Sequence, residues 1–146
     1  MTVSLSGLQV AKEITEQFPD TVVEATDQAV LVKSKSIFEI AQYLKNSPEL
    51  SFDYLNFVTA VDYLDCFELV YQLTSLKHNH SLILKTRCFS RERPTVPSVV
   101  SVWRGADYQE REIFDLMGII FDGHPNLKRI VLWDGFEGHP LRKDYL

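Results

Sequence analysis

Residues 107–145 read DYQEREIFDLMGIIFDGHPNLKRIVLWDGFEGHPLRKDY, and the rest of the chain is organised around this stretch. Asp107 is a good N-cap residue and Glu110 follows at the third helical position, which predicts a capping box opening a helix over Tyr108–Met117. Gly118 is the left-handed stop that such a helix needs. Ile113, Leu116 and Met117 fall at i, i+3, i+4 and are expected to be buried. Arg111 and Asp115 form an i, i+4 pair on another face, a contact that contributes about 0.2–0.5 kcal/mol when exposed. Taken alone, Glu110-Arg111-Glu112 reads as a solvated helix face.

The residues beyond the helix change that reading. Gly123-His124-Pro125 is repeated as Gly138-His139-Pro140, and each copy is trailed by leucine and a basic pair, Lys128-Arg129 and Arg142-Lys143. Glycine gives a permissive hinge, and proline forces the histidine before it to be extended. The resulting tail is rigid, poor in core-forming periodicity, and basic within an acidic chain. A segment of this kind needs a surface to lie on. Trp133 and Phe136 would be costly if exposed there, which makes them the expected interface anchors.

Here the chain resembles a known family. Glu110, Arg111, Glu112, Asp115, His124, Lys128 and Ile130 stand in the order and spacing of the signature of the 30 kDa (C) subunit of NADH-quinone oxidoreductase, respiratory complex I. Gly138-His139-Pro140-Leu141-Arg142-Lys143-Asp144-Tyr145 is similar to the family's second motif. The similarity is strong from about Val58 onwards and weak over the N-terminal third. Tyr108 and Phe136 stand where the family usually has tryptophan, which keeps an aromatic at both places. The chain ends at Leu146, so the resemblance implies a short-tailed member not fused to the large (D) subunit.

The resemblance implies a peripheral-arm protein packed against the large (D) subunit, which with the Fe–S (B) subunit frames the quinone site. It implies a place on the cytoplasmic side of the cell membrane without a membrane span. FMN, Fe–S clusters and quinone would sit in the partner subunits, with no catalytic residue, cofactor or metal held by this chain. The expected contacts with those subunits are Glu110, Arg111, Glu112, Asp115, His124, Lys128, Arg129, Trp133, Phe136, His139, Arg142, Lys143 and Asp144. Related complexes fed by ferredoxin or by hydrogenase modules use a similar protein at this place, and the sequence does not separate these donors.

The bulk properties agree with a single domain. The chain has 146 residues, 45% of them hydrophobic and 24% charged, enough for a real core. A net charge of −5 argues against nucleic acid or an anionic membrane as the partner. No apolar run is long enough to span a bilayer, and MTVSLSGLQVAKEI lacks the features of a signal peptide. Cys66 and Cys88 stand outside any CxxC and are expected to be reduced and buried; an iron–sulfur cluster needs about four thiolates.

Gly7, Ala11, Ile14 and Phe18 predict a helix over Leu8–Gln17. Thr21–Ala25 and Ala29–Lys33 read as a hairpin, and Ser36 with Glu39 as a capping box for a helix running to about Lys45. Asn56–Tyr63, Cys66–Thr74 and Ser81–Cys88 read as an antiparallel meander, with Phe67, Leu69, Tyr71 and Leu73 on one face. Arg91–Pro97 reads as a loop. Ser98–Trp103 is rich in valine, yet its spacing favours a short helix.

Together these predict an α+β fold: an antiparallel or mixed sheet, helices packed on one face, and an irregular C-terminal arm. The expected division is a compact body over 1–121 and an extended arm of the same domain over 122–146. No phosphate-binding glycine loop occurs. His78 and His80 form an HxH without an obvious third ligand. His124 and His139 could act as general bases in a free-standing enzyme, but neither stands near a recognisable nucleophile motif.

Overall fold

A computed structural model describes residues 2–133 and 136–145 of the chain. A short strand β1 (Val3–Ser4) leads into α1 (Gly7–Gln17), the hairpin β2 (Val22–Ala25) and β3 (Ala29–Lys33), and α2 (Ile37–Asn46). The meander follows as β4 (Tyr54–Asp62), β5 (Phe67–Ser75) and β6 (His80–Cys88). A three-residue strand β7 (Thr95–Pro97), the helix α3 (Ala106–Met117) and β8 (Ile120–Asp122) complete the regular elements.

The main sheet has the order β2-β3-β6-β5-β4, with β1 also on β6. The β2–β3, β4–β5 and β5–β6 pairs are antiparallel, whereas β3 and β1 run parallel to β6. The chain therefore crosses from β3 through α2 to the far edge at β4. The meander then returns β6 to the side of β3. This is the mixed α+β arrangement that the alternating and helical periods predicted.

Alternation fixes the core face. Phe67, Leu69, Tyr71 and Leu73 of β5 are all at 0% exposure. They pack with Leu82 and Leu84, Val30 and Val32, and the buried stripes of the helices: Val10 and Ile14, Ile37 and Ile40, Ala106 and Ile113. Each of the buried Val, Leu, Ile and Phe side chains contributes about 1.5–3 kcal/mol of burial. At Gly7 an added Cβ would lie 2.2 Å from the carbonyl oxygen of Thr26, so only glycine lets α1 start this close to the hairpin turn. The other sheet face carries Glu68, Lys85 and Arg87, whose ion contacts of 3.8 and 3.1 Å cover the buried Glu68 carboxylate.

Four local expectations are corrected. α3 begins at Ala106 with Gly105 as its cap and no side-chain cap bond, so Asp107 and Glu110 form no capping box. Glu110 is instead wholly buried and turned toward the segment before the helix. Ser36 caps nothing, because a 3-10 turn over Ser34–Ser36 precedes α2 and leaves its side chain without a cap bond. Ser98–Trp103 is a turn closed by Trp103 N–H donating to Val99 O at 2.8 Å, not a helix. Glu110 takes the Val99 N–H at 2.9 Å and the Ser98 hydroxyl at 2.6 Å, which fixes the start of the segment, and the single turn closed on Val99 O is not continued into a helix. Finally, Thr95–Pro97 is not loop, since it pairs in parallel with Ile120–Asp122.

Candidate functional site

The C-terminal tail lies on its own chain. Beyond Asp122 the described residues form only turns and bends, and they wrap over α3. The contact is organised by Asp115, which is at 0% exposure. Its Oδ2 accepts three consecutive backbone N–H groups, from Ile130 at 3.1 Å, Val131 at 2.7 Å and Leu132 at 2.9 Å. Its Oδ1 accepts from Arg129 Nη1 at 2.9 Å. A run of backbone amides turned inward on one carboxylate is an anion nest, here filled by a side chain of the same protein. Burial alone would raise the Asp115 carboxyl, but the bonds from Leu132, Val131, Ile130 and Arg129 outweigh it and hold the group below its ordinary value.

The same arginine and a histidine close the second turn of the strap. Arg129 Nη2 donates to Gly138 O at 2.8 Å, and its guanidinium lies 5.7 Å from the Phe136 ring centre. His139 Nδ1 lies 2.9 Å from Asp115 O; a carbonyl can only accept, so this nitrogen carries the proton. The His139 ring rests on Gly118, where φ is +77° and an added Cβ would come within 2.7 Å of it. Leu141 N–H donates to Leu116 O at 2.9 Å, which continues the seam along α3.

His124 repeats the theme at the other end of the helix. Its side chain is fully buried, its Nδ1 accepts from Asn126 N–H at 2.9 Å, and its Nε2 lies 3.0 Å from Asp107 Oδ1. With Nδ1 accepting, the ring proton sits on Nε2 and is donated to Asp107 O at 3.2 Å, while Asp107 Oδ1 stands close by without an aligned hydrogen bond. The two Gly-His-Pro copies thus place one histidine at each end of α3.

A second lock fastens the end of the strap to the sheet. Asp62, at the end of β4, accepts from both Arg91 terminal nitrogens at 2.9 Å, from Leu64 N–H at 2.8 Å and from Lys143 N–H at 2.9 Å. Arg91 also reaches Asp144 at 3.0 Å, and Arg142 lies 3.2 Å from the other oxygen of that carboxylate. The guanidinium carbons of Arg91 and Arg142 sit over the Phe67 ring at 4.7 and 5.0 Å. The Arg91 bonds hold the Asp62 carboxyl well below the ordinary carboxylate range, against the effect of burial.

The motif residues therefore divide. Glu110, Asp115, His124, Arg129, His139, Arg142 and Asp144 are engaged within the chain. Arg111 does not pair with Asp115, which has turned to Arg129; its Nε is buried without a hydrogen-bond partner among the described residues. Glu112, Lys128, Trp133 and the Lys143 side chain face outward, and Phe136 is half-buried. Trp133 is 69% exposed and Leu141 61%. Asp134 and Gly135 between the two aromatics lie outside the described residues. In the sequence Asp62 carries only a turn or strand-edge signal and Arg91 lies in a loop, because no short spacing joins a strand end to a backbone amide 81 residues away.

The site's chemistry is that of fastening. Among the described residues no group of three or more His, Cys, Asp or Glu could hold a metal ion. His78 and His80 donate from Nε2 to Pro48 O and Leu50 O, each at 2.7 Å, and so pin a loop. Cys66 and Cys88 are free and buried, and burial pushes the Cys88 thiol up to about 11. No helix among the described residues is long and apolar enough to cross a membrane.

The chain falls in a class of respiratory-complex proteins: the family model described as respiratory-chain NADH dehydrogenase, 30 Kd subunit, matches residues 30–146. The chain belongs to this family. It is 39% identical to the C subunit of NADH-quinone oxidoreductase from Roseiflexus sp. (strain RS-1), covering 97% of this chain and 84% of that protein. It is 45% identical to the second C-type subunit of NADH-quinone oxidoreductase from Rhizobium meliloti (strain 1021), covering 80% of this chain and 65% of that protein. Among solved structures it resembles a chain of the membrane-bound sulfane sulfur reductase, an archaeal respiratory membrane complex. The TM-score is 0.75 at 25% identity, over 95% of this chain and 85% of that one.

Proposed function

We propose that the chain is a supporting subunit in the peripheral arm of a proton-translocating NADH-quinone oxidoreductase. It holds the large (D) subunit in shape near the quinone site, beside the Fe–S (B) subunit, on the cytoplasmic side of the membrane. Electrons pass from NADH through FMN and Fe–S clusters in other subunits to quinone, with no redox group on this chain. The body over 1–121 serves as platform and the strap over 122–146 as the docking arm. The observation that carries this reading is the Asp115 nest, which fixes a polar strap rigidly while leaving Val131, Trp133 and Leu141 facing outward. Rigid, exposed anchors lose little freedom on binding.

The likeness to a chain of a sulfane sulfur reductase, another kind of respiratory membrane complex, supports a second reading, the same supporting role in a related ferredoxin- or hydrogenase-linked membrane complex. Isolation of the complex from native membranes tests both. The chain is expected to co-purify with the large subunit; recovery only as a solitary soluble protein would overturn the role. A flavoprotein NADH-oxidising subunit in the same particle selects the first reading over the second.

A further inference from the structure

The free edge of β4 is open, and its backbone says what would cover it. Tyr63 N–H donates to Cys66 O at 2.9 Å, so in this region the odd-numbered residues of β4 turn their backbone groups toward β5. Val58, Ala60 and Asp62 turn theirs outward. Val58 N–H is taken at 2.7 Å by Gln109 Oε1, a side-chain amide standing where a neighbouring strand's carbonyl would be. Outside the β4–β5 ladder, no hydrogen bond among the described residues reaches the backbone of Ala60, and the register turns its N–H and C=O away from β5.

Edge strands are normally blunted by lysine, proline or a covering segment. β4 reads YLNFVTAVD, with neither lysine nor proline, and Phe57 and Val61 are 42% and 37% exposed. Beside this edge runs a groove of about 200 Å³, whose lining includes Ala60, Gln109, Glu112, Leu116 and Leu141. Its rim carries the Glu112 carboxylate, exposed and without an ion pair among the described residues.

We propose that β4 accepts a short extended strand from a partner subunit, paired to the outward backbone of Ala60 and Asp62. The inference rests on the supporting role proposed above and names where the partner binds. Main-chain groups supply the pairing, and alternate side chains of the added strand supply selectivity. One apolar side chain of the incoming strand enters the groove over Leu116 and Leu141, and a basic one meets Glu112. Gln109 blocks pairing at Val58, which fixes the register.

Residue-resolved amide hydrogen exchange, on the isolated chain and on the same chain in the purified complex, tests this. Thr59 and Val61 amides face β5 and are protected in both. The Ala60 amide is expected to exchange freely in the isolated chain and to slow at least about tenfold on assembly. Ala60→Pro removes an N–H that the isolated fold does not use, and is expected to weaken assembly. Glu112→Lys, on the exposed rim, is expected to weaken it less and without loss of Tm.

A chain that co-purifies while its Ala60 amide stays unprotected overturns the strand proposal and leaves the supporting role intact. Protection of Ala60 that rises with concentration of the isolated chain makes a second copy the occupant and also overturns it. Failure to co-purify removes both readings.

Discussion

The body of the molecule and its strap are held by different forces. The sheet and helices bury a continuous apolar core, in which the central strand β5 contributes four wholly buried large side chains. The strap buries little apolar surface of its own, and Trp133 and Leu141 point outward. It is held by two carboxylates, Asp115 and Asp62, which the body supplies and the strap satisfies. Apolar packing tolerates change in small increments, whereas a buried carboxylate without its donors is a large and local penalty. The strap is thus fastened at few points, each of which matters.

Asp115→Ala should test that contrast most severely. It removes four hydrogen bonds to the carboxylate. The inward-turned amides are left unpaired, at a cost of roughly 3–5 kcal/mol. Urea unfolding should show this loss, and limited proteolysis should show cleavage confined to residues after Asp122. A mutant with an intact, protease-resistant strap would contradict the nest.

The pH dependence separates the two regions next. Burial raises the Glu110 carboxyl to about 7, against the hydrogen bonds from Ser98 and Val99. Between its unfolded value near 4.5 and about 7 the unfolded chain has lost a proton that the folded chain keeps. Stability should therefore fall as pH rises through that window, by roughly 1.4 kcal/mol per unit at most. Asp62 and Asp115 are shifted the other way, so the stability they add is present above about pH 4 and is lost as pH falls below it. Thermal melts of Glu110→Gln should lack the decline between about pH 5 and 7; an unchanged slope would assign it to other groups.

Gly118→Ala probes the junction itself. The left-handed backbone and the His139 ring both oppose a Cβ, so a loss of about 1–3 kcal/mol is expected from the Tm. At the small end, Trp133→Ala should leave stability within about 0.5 kcal/mol of the parent. Its effect should appear only in co-purification with the large subunit. A large fall in Tm would mean that Trp133 packs within the chain.

The body was legible because its signals are periodic. Phe67, Leu69, Tyr71 and Leu73 alternate over a whole strand, and Val10, Ile14, Ile37 and Ile40 lie on helical stripes. The pairing of Thr95–Pro97 with Ile120–Asp122 was not legible, since three residues carry no period and parallel partners are distant in sequence. Capping was misread at both Asp107 and Ser36 for one reason: residue type marks a possible bond, while the turn that enters the helix decides whether it forms.

In the strap, the motif gave no sign of the contacts that Asp115, Arg129 and His139 make within the chain. Arg111 at i, i+4 looked like the partner of Asp115, yet Arg129 came from outside the helix together with three amides. Local spacing weighs neighbours on one helix and cannot weigh a returning backbone. The same holds for Arg91, whose bidentate grip on Asp62 joins a strand end to an irregular loop.

The Asp115 nest also dictates an order of events during synthesis. α3 leaves the ribosome before residues 129–132 do, so its inward carboxylate must wait, hydrated, until the donors arrive. The sealing of this face is thereby deferred until residues 129–132 have been made. A product cut short before Ile130 would carry a bare anion on the very face that the strap otherwise seals.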